Sequence, residues 1–200
     1  MNQANVAILL FEDFETLDVF GPVEIFGRLA DLYSIGFYSL NGGIVTNKHH
    51  VAIQTESIQK LRHALEILLI PGGLGTRVEV HNTELLNAIT QVSMQSNYVL
   101  TVCTGSALLA KTGLLDNRSA TTNKKAFTWV ASLEDKVNWV KNDRWTVDGK
   151  YYTSAGVSAG TDMALGFISD VHGKEFAKKI AKDIEYNWIE YRKNDTFKVE

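Results

Sequence analysis

Short apolar runs alternate with amphipathic stretches along this chain of 200 residues. An unbroken apolar run such as Val6–Phe11 is typical of a strand buried on both faces of a parallel sheet. The pattern predicts strands at 6–11, 33–40, 44–46, 51–55, 66–70, 98–102, 119–122, 137–140, 145–147 and 151–154. It predicts helices at 18–32, 83–95, 106–111, 124–133, 158–171 and 174–191, with the first becoming regular near Pro22. This alternation predicts an α/β fold, a doubly wound and mostly parallel sheet sandwiched by helices.

Three polar or glycine-rich turns follow predicted strands directly. They cover residues 12–18, 71–75 and 103–105. Ligands of doubly wound sheets bind beyond the carboxyl ends of the strands. We therefore expect these three turns to meet in one crevice.

Cys103 lies in the third turn, between an apolar strand and a run of good helix formers. A free cysteine is commonly a small buried hydrophobic residue, and that interpretation stays open. However, a thiol at a helix start lies beside unpaired backbone N–H groups, whose partial positive charge favours the thiolate. The sequence thus favours Cys103 as a nucleophile.

A cysteine nucleophile also needs donors for developing negative charge and an acid or base. The backbone N–H groups of Gly73 and Thr104 are candidates for the donors. Glu15 and Asp18, in the first turn, are candidates for the acid. A carboxylate beside a thiolate is expected to share one proton with it. Alternatively, Asp18 caps the following helix and Glu15 is merely solvated.

Composition narrows the classes of partner and compartment. The net charge of −3, with no basic stripe before the lysine-rich final helix, predicts no nucleic-acid partner. With one cysteine, an internal disulfide is impossible, and no spacing of His, Asp or Glu suggests a metal site. None of the five histidines lies at a predicted strand end of the crevice, which disfavours a Cys–His triad. We expect one cytoplasmic domain, residues 1–200, with no signal peptide and no membrane contact.

Four segments together resemble the DJ-1/PfpI superfamily. They are VAILLFEDFETLDVFGPVEIF, LLIPGG, TVCTGSALLAKTGLLDNRSATT and YTSAGVSAGTDMAL, spread over most of residues 5–190. The resemblance implies a flavodoxin-like fold, related to class I glutamine amidotransferases. The LDVFGP and VCTGS strings are most similar to the isocyanide hydratase-like branch and to sensor domains of AraC-type regulators. Those regulators continue into a helix-turn-helix domain. The 200 residues of this sequence show no such domain, so we expect the chain to be a stand-alone unit.

The resemblance also implies roles for particular residues. The nucleophile is Cys103, the acid/base carboxylate is Asp18, the neighbouring hydroxyl is Thr104, and the backbone donor is Gly73. Glu15 occupies the position of the acidic residue in DJ-1-like members, so the choice between the two carboxylates stays open. A homodimer is implied as well.

One departure concerns the pocket. Asn123 follows Ala120-Thr121-Thr122, at a position where members of the hydratase-like branch usually carry histidine. We therefore expect the choice of substrate to differ from that of those members.

The leading hypothesis is a cysteine-dependent enzyme without a cofactor that hydrates a small isocyanide to an N-substituted formamide. A glyoxalase-like hydration of α-oxoaldehydes is the enzymatic alternative. A non-catalytic redox sensor or stress protein, in which Cys103 is oxidised, is the alternative from another class. A family member that has lost its chemistry and serves partner binding is the remaining alternative.

Overall fold

The computed structural model describes residues 3–61 and 65–199. Its strands are β1 (Ala4–Leu9), β2 (Tyr33–Ser39), β3 (Gly43–Thr46), β4 (Ala52–Ser57), β5 (Leu65–Ile70), β6 (Ser96–Thr101), β7 (Ser119–Ala120), β8 (Asn138–Trp139), β9 (Trp145–Asp148) and β10 (Tyr151–Ser154). Its helices are α1 (Thr16–Gly27), α2 (Thr76–Glu79), α3 (Thr83–Gln95), α4 (Gly105–Lys111), α5 (Phe127–Leu133), α6 (Ala159–His172) and α7 (Lys174–Asp183). Within these residues, no helix is both long enough and apolar enough to cross a bilayer.

Eight of the described strands form one sheet in the order β3-β4-β2-β1-β5-β6-β10-β9. The six inner strands of this sheet run parallel to one another, and only the edge strands β3 and β9 run antiparallel to their neighbours. Strands β7 and β8 form a separate small pair. Helices flank the sheet, which confirms the predicted α/β architecture.

The centre of the sheet explains its apolar sequence. Residues Val6 to Leu9 of β1 and Ile67 to Ile70 of β5 are essentially inaccessible to solvent. Strands covered on both faces need continuous apolar runs rather than alternating ones. The order of strands reverses between β1 and β5, because the chain first adds β2 on one side and later adds β5 and β6 on the other. This switch point is where a ligand crevice opens in such sheets.

The first helix begins earlier than the sequence predicts. It begins at Thr16 rather than near Pro22, which lies inside it. Proline has no N–H, so the carbonyl of Asp18 loses its helical donor, but the turn continues. The helix start is fixed from outside, since the backbone N–H of Glu15 donates to the carbonyl of Gly72 at 2.8 Å.

The last helix ends eight residues earlier than predicted, at Asp183 rather than at Tyr191. Glu185 has a φ of 54°, in the left-handed region. The N–H of Tyr186 bonds to the carbonyl of Ala181, and that of Glu185 to the carbonyl of Lys182. This pair of bonds is a Schellman cap, which ends a helix even without glycine. Residues 184–199 therefore continue as an irregular segment.

Candidate active site

Three chain segments meet at the switch point of the sheet. Asp18 lies in α1, which follows β1; Gly72 follows β5; and Cys103 follows β6. The structure thus brings together the three turns that the sequence places at this edge.

Cys103 occupies a sharp elbow between β6 and α4, as predicted. Its φ of 56° lies in the left-handed region, which is uncommon for a residue with a side chain. The elbow is held on both sides: its N–H donates to the carbonyls of Ser154 and Ala155, and its carbonyl accepts from the hydroxyls of Ser106 and Thr122. A strained residue held by so many bonds is typical of a functional position.

Asp18 is fully buried beside this elbow. Its Oδ2 accepts a hydrogen bond from the N–H of Gly72 at 2.9 Å. A Cβ on Gly72 would lie 2.6 Å from the nitrogen of Thr104, so only glycine permits this approach. The other oxygen, Oδ1, has no hydrogen-bond partner among the described residues. A buried carboxylate oxygen without a partner is costly unless the group is protonated.

The pKa of Asp18 agrees with this interpretation. Burial and, to a smaller extent, the negative charge of Glu15 raise it from 3.8 to about 8. The N–H of Gly72 and the neighbouring thiol of Cys103 favour the charged form and oppose the rise without cancelling it. The carboxyl of Asp18 is therefore mostly protonated at pH 7 and is available as a general acid.

The thiol of Cys103 does not behave as its position at a helix start predicts. Burial raises its pKa well above that of a free thiol, and the charge of Asp18 raises it too. Hydrogen bonds from Thr104 and from the side chain of Asn123 lower the pKa, but by less. The expectation of a resting thiolate is thus wrong, because the side chain is only 6% exposed. The resting pair is a thiol beside a carboxylic acid.

Thr104 and Gly73 lie at the site but are bonded to each other. The N–H of Gly73 donates to Oγ1 of Thr104 at 3.1 Å, and Oγ1 also accepts from the hydroxyl of Thr76. The N–H of Thr104 faces the thiol instead. A negatively charged oxygen beside the sulfur would therefore accept directly from the N–H of Thr104. The N–H of Gly73 would first have to break its bond to the Thr104 hydroxyl before it could donate to that oxygen.

Glu15 lies at the margin of the site. It is the residue preceding α1, it is only partly buried, and it acts on Asp18 through its charge. The structure therefore places Asp18, rather than Glu15, against the sulfur.

Arg77 is a charged neighbour that the sequence analysis did not single out. Its guanidinium stacks 3.2 Å from the ring centroid of Trp129. Partial burial lowers the pKa of Arg77, and the charge of Cys103 opposes that lowering, so the cation lies within electrostatic range of the thiol. The spacing of charges in α2 gave no signal for this contact, because Trp129 lies more than 50 residues further along the chain.

The described histidines lie away from the sulfur. His49 bonds to the hydroxyl of Thr16, and His172 bonds to that of Tyr33. Neither His50 nor His81 contributes to the hydrogen bonding of Cys103, and His63 lies outside the described residues.

Comparison with known proteins places this geometry in a family. The model of the DJ-1/PfpI family matches residues 4–170. Isonitrile hydratase of Pseudomonas putida is 28% identical over 181 residues, which cover 90% of this chain and 78% of that protein. The HTH-type transcriptional regulator GbdR of Pseudomonas aeruginosa is 25% identical over 195 residues, which cover 94% of this chain but only 52% of the regulator.

A solved structure supports the same assignment. A ThiJ/PfpI family protein from Pseudomonas syringae superimposes with a TM-score of 0.83 at 25% identity, covering 98% of this chain and 78% of that one. The relatives thus include both an enzyme and transcriptional regulators. Because the family model spans most of the residues and the fold agrees, this chain belongs to the DJ-1/PfpI family.

Proposed function

We propose that this protein is a cysteine-dependent hydratase that converts a small isocyanide into an N-substituted formamide. One observation carries the proposal: the carboxyl group of Asp18 is fully buried beside the thiol of Cys103, and one of its oxygens has no hydrogen-bond partner within residues 3–61 and 65–199. A protonated acid next to a sulfur nucleophile suits a carbon that must gain both a proton and a nucleophile. The terminal carbon of an isocyanide is such an atom.

The neutral state of the pair suggests the order of proton transfers. Asp18 donates its proton to the terminal carbon while the sulfur of Cys103 attacks that carbon, forming the C–S bond. The carboxylate left on Asp18 accepts the thiol proton, so the pair regains its proton and the product is a thioimidate. No free thiolate is needed before the substrate binds, which suits a buried thiol whose pKa is raised.

Hydrolysis of the thioimidate uses the same carboxyl group. Water attacks the carbon while Asp18 donates a proton to nitrogen and receives one from the water. The resulting tetrahedral carbon expels the sulfur, which takes the hydroxyl proton through Asp18 and becomes the thiol again. The sum is one isocyanide plus one water giving one formamide. The N–H of Thr104, which faces the sulfur, is the nearest backbone donor for the charge that develops there.

The raised thiol pKa also bears on the redox alternative. Peroxides oxidise the thiolate, and oxidation-sensing cysteines have a low pKa and are exposed. Cys103 has the opposite properties, since it is buried and its pKa is raised. This contrast supports the enzyme over the sensor.

The test is turnover of cyclohexyl isocyanide, followed as formamide by liquid chromatography. We expect the wild type to form the formamide, Cys103→Ala to form none, and Asp18→Asn to be slower by about 10²-fold or more, the range for loss of a general acid. Glu15→Gln is the matched control, since it removes a neighbouring carboxylate that lies further from the sulfur. If the wild type forms no formamide, or if Cys103→Ala retains turnover, the proposal is wrong.

A further inference from the structure

The irregular segment after α7 returns to the edge of the sheet that carries the candidate active site. Asp195 is 5% exposed and anchors the segment. Its Oδ1 pairs with Nη1 of Arg144 at 3.3 Å, and its Oδ2 lies 4.0 Å from Nζ of Lys124. The N–H of Asp195 donates to the carbonyl of Asn142 at 2.6 Å. These three contacts, one with Lys124 and two with residues 142–144, thus fix the position of the residues that follow.

Those residues form one wall of a cleft of about 570 Å³. Other walls come from Leu17, Asn123, Gly156 and Val157. Leu17 directly precedes Asp18, and the side chain of Asn123 donates toward Cys103. The cleft therefore ends one side chain away from the thiol–carboxyl pair, and its volume lies within the range of small-molecule sites.

Two apolar side chains that are unusually exposed line this same cleft. Leu17 is 44% exposed and Phe197 is 64% exposed. Val157 adds a third apolar surface. Of the four charged side chains of the cleft, Lys124, Asp195 and Lys198 are bonded elsewhere, and Lys125 is exposed. Lys124 donates to the carbonyls of Lys141 and Asp143, and Lys198 donates to the carbonyl of Asp195. The surface left for a ligand is thus mainly apolar.

We propose that Phe197 is a specificity-determining residue, and that the segment anchored by Asp195 forms the outer wall of the substrate cleft. The cleft selects electrophiles that carry an apolar substituent, which contacts Phe197 and Leu17. This inference rests on the proposed role of Cys103 as the nucleophile, and it names the class of substituent that the site accepts.

Two alkylating probes test this selection without any turnover. Iodoacetamide and N-phenyl iodoacetamide carry the same reactive carbon, and in both the thiol sulfur forms a C–S bond as iodide leaves and buffer takes the proton. Only the second probe carries a ring. Second-order rate constants for Cys103 at pH 9 are measured by intact-protein mass spectrometry, and their ratio, phenyl to unsubstituted, is compared between variants.

We expect Phe197→Ala to lower this ratio about fivefold, the effect of losing one ring contact. Leu17→Ala, on the facing wall, is expected to lower it similarly. Phe197→Leu, which keeps an apolar side chain, is expected to recover part of the loss. Met94→Ala is the matched control, because Met94 is an apolar residue of α3 that is 70% exposed and does not line the cleft.

A ratio unchanged in both Phe197→Ala and Leu17→Ala would overturn the inference, as would an equal change in Met94→Ala. The two proposals fail separately. A ratio that stays unchanged in both wall variants, in a protein that still forms formamide, overturns only the role of the wall. If the wild type forms no formamide but the wall variants still lower the ratio of alkylation rates, only the hydratase proposal is overturned.

Discussion

Asp18 and Asp162 are both fully buried carboxyl groups, but their surroundings differ. Both oxygens of Asp162 are bonded: Oδ2 pairs with Arg144, and Oδ1 accepts from the N–H of Ile189 and the hydroxyl of Tyr186. In the part of the chain that the structure describes, Asp18 has one bonded oxygen and no cation among its hydrogen-bond partners. Asp162 joins the C-terminal segment to the core, whereas Asp18 lies beside a thiol with an oxygen left for a substrate.

The hydrogen bonds around a buried acid in this fold decide whether it is charged or protonated. Burial raises the pKa of both groups, but for Asp162 the charge of Arg144 and its hydrogen bonds oppose the rise. A carboxylate that is bonded on all sides stabilises its charged form and the contacts around it. A buried carboxyl group with an unbonded oxygen keeps its proton at neutral pH and can donate it. The first kind of site is structural and the second is suited to chemistry.

The largest effect that the comparison predicts is at Arg144. Arg144→Met leaves the buried Asp162 without its cation and leaves Asp195 with only Lys124, 4.0 Å away. Breaking a buried pair in this way destabilises a protein by about 3–5 kcal/mol. Urea unfolding followed by circular dichroism measures the change. Arg28→Ala is the control: Arg28 pairs with Glu24 on the surface, where about 0–1 kcal/mol is expected. A loss at Arg144 no larger than that at Arg28 would contradict the structural role.

The second prediction concerns stability against pH at Asp18. Its pKa is about 8 in the folded protein, against 3.8 for an ordinary aspartate. The folded state therefore holds this proton more tightly than the unfolded state, so the contribution to stability is full below about pH 4 and is lost as the pH rises to about 8.

Asp18→Asn removes this dependence. We expect the variant to gain stability relative to the wild type between pH 4 and pH 8, by up to about 1.4 kcal/mol for each pH unit, as measured by urea unfolding at each pH. Asp31→Asn, which changes an exposed carboxylate, provides the baseline. A difference between Asp18→Asn and the wild type that is flat across this range would mean that the carboxyl is ionised throughout.

Local pattern was enough to predict the sheet and the elbow, because both depend on short stretches of sequence. Continuous apolar runs specify β1 and β5, and the strand before Cys103 specifies its position. The boundaries that the pattern missed depend on contacts distant in sequence. Glu15 is held by Gly72 at the start of α1, and Tyr186 leaves the helical path after α7 to bond with Asp162. The four-residue helix α2 is too short to show a period.

The charge state of the site was missed for a related reason. A helix start beside Cys103 is visible in the sequence and predicts a thiolate. The burial that reverses this effect comes from the packing of three separate strand ends, which no local pattern reports. Asn123 was noted only as a departure from relatives, and its contact with the sulfur became apparent from the fold.

The smallest predicted effect compares two neighbours that act on the thiol in opposite directions. The charge of Asp18 raises the pKa of Cys103, whereas the hydrogen bond from Asn123 lowers it. Below the thiol pKa, each unit of pKa changes the thiolate fraction tenfold, and the accompanying change in nucleophilicity offsets about half of this effect. We therefore expect iodoacetamide at pH 8 to alkylate Asp18→Asn faster than the wild type and Asn123→Ala more slowly, by about threefold for each unit by which the thiol pKa moves. Thr128→Ala, an exposed position near Asn123 in sequence, controls for general loosening. If both variants react faster, the substitutions have opened the pocket, and the thiol of Cys103 is limited by access rather than by its protonation.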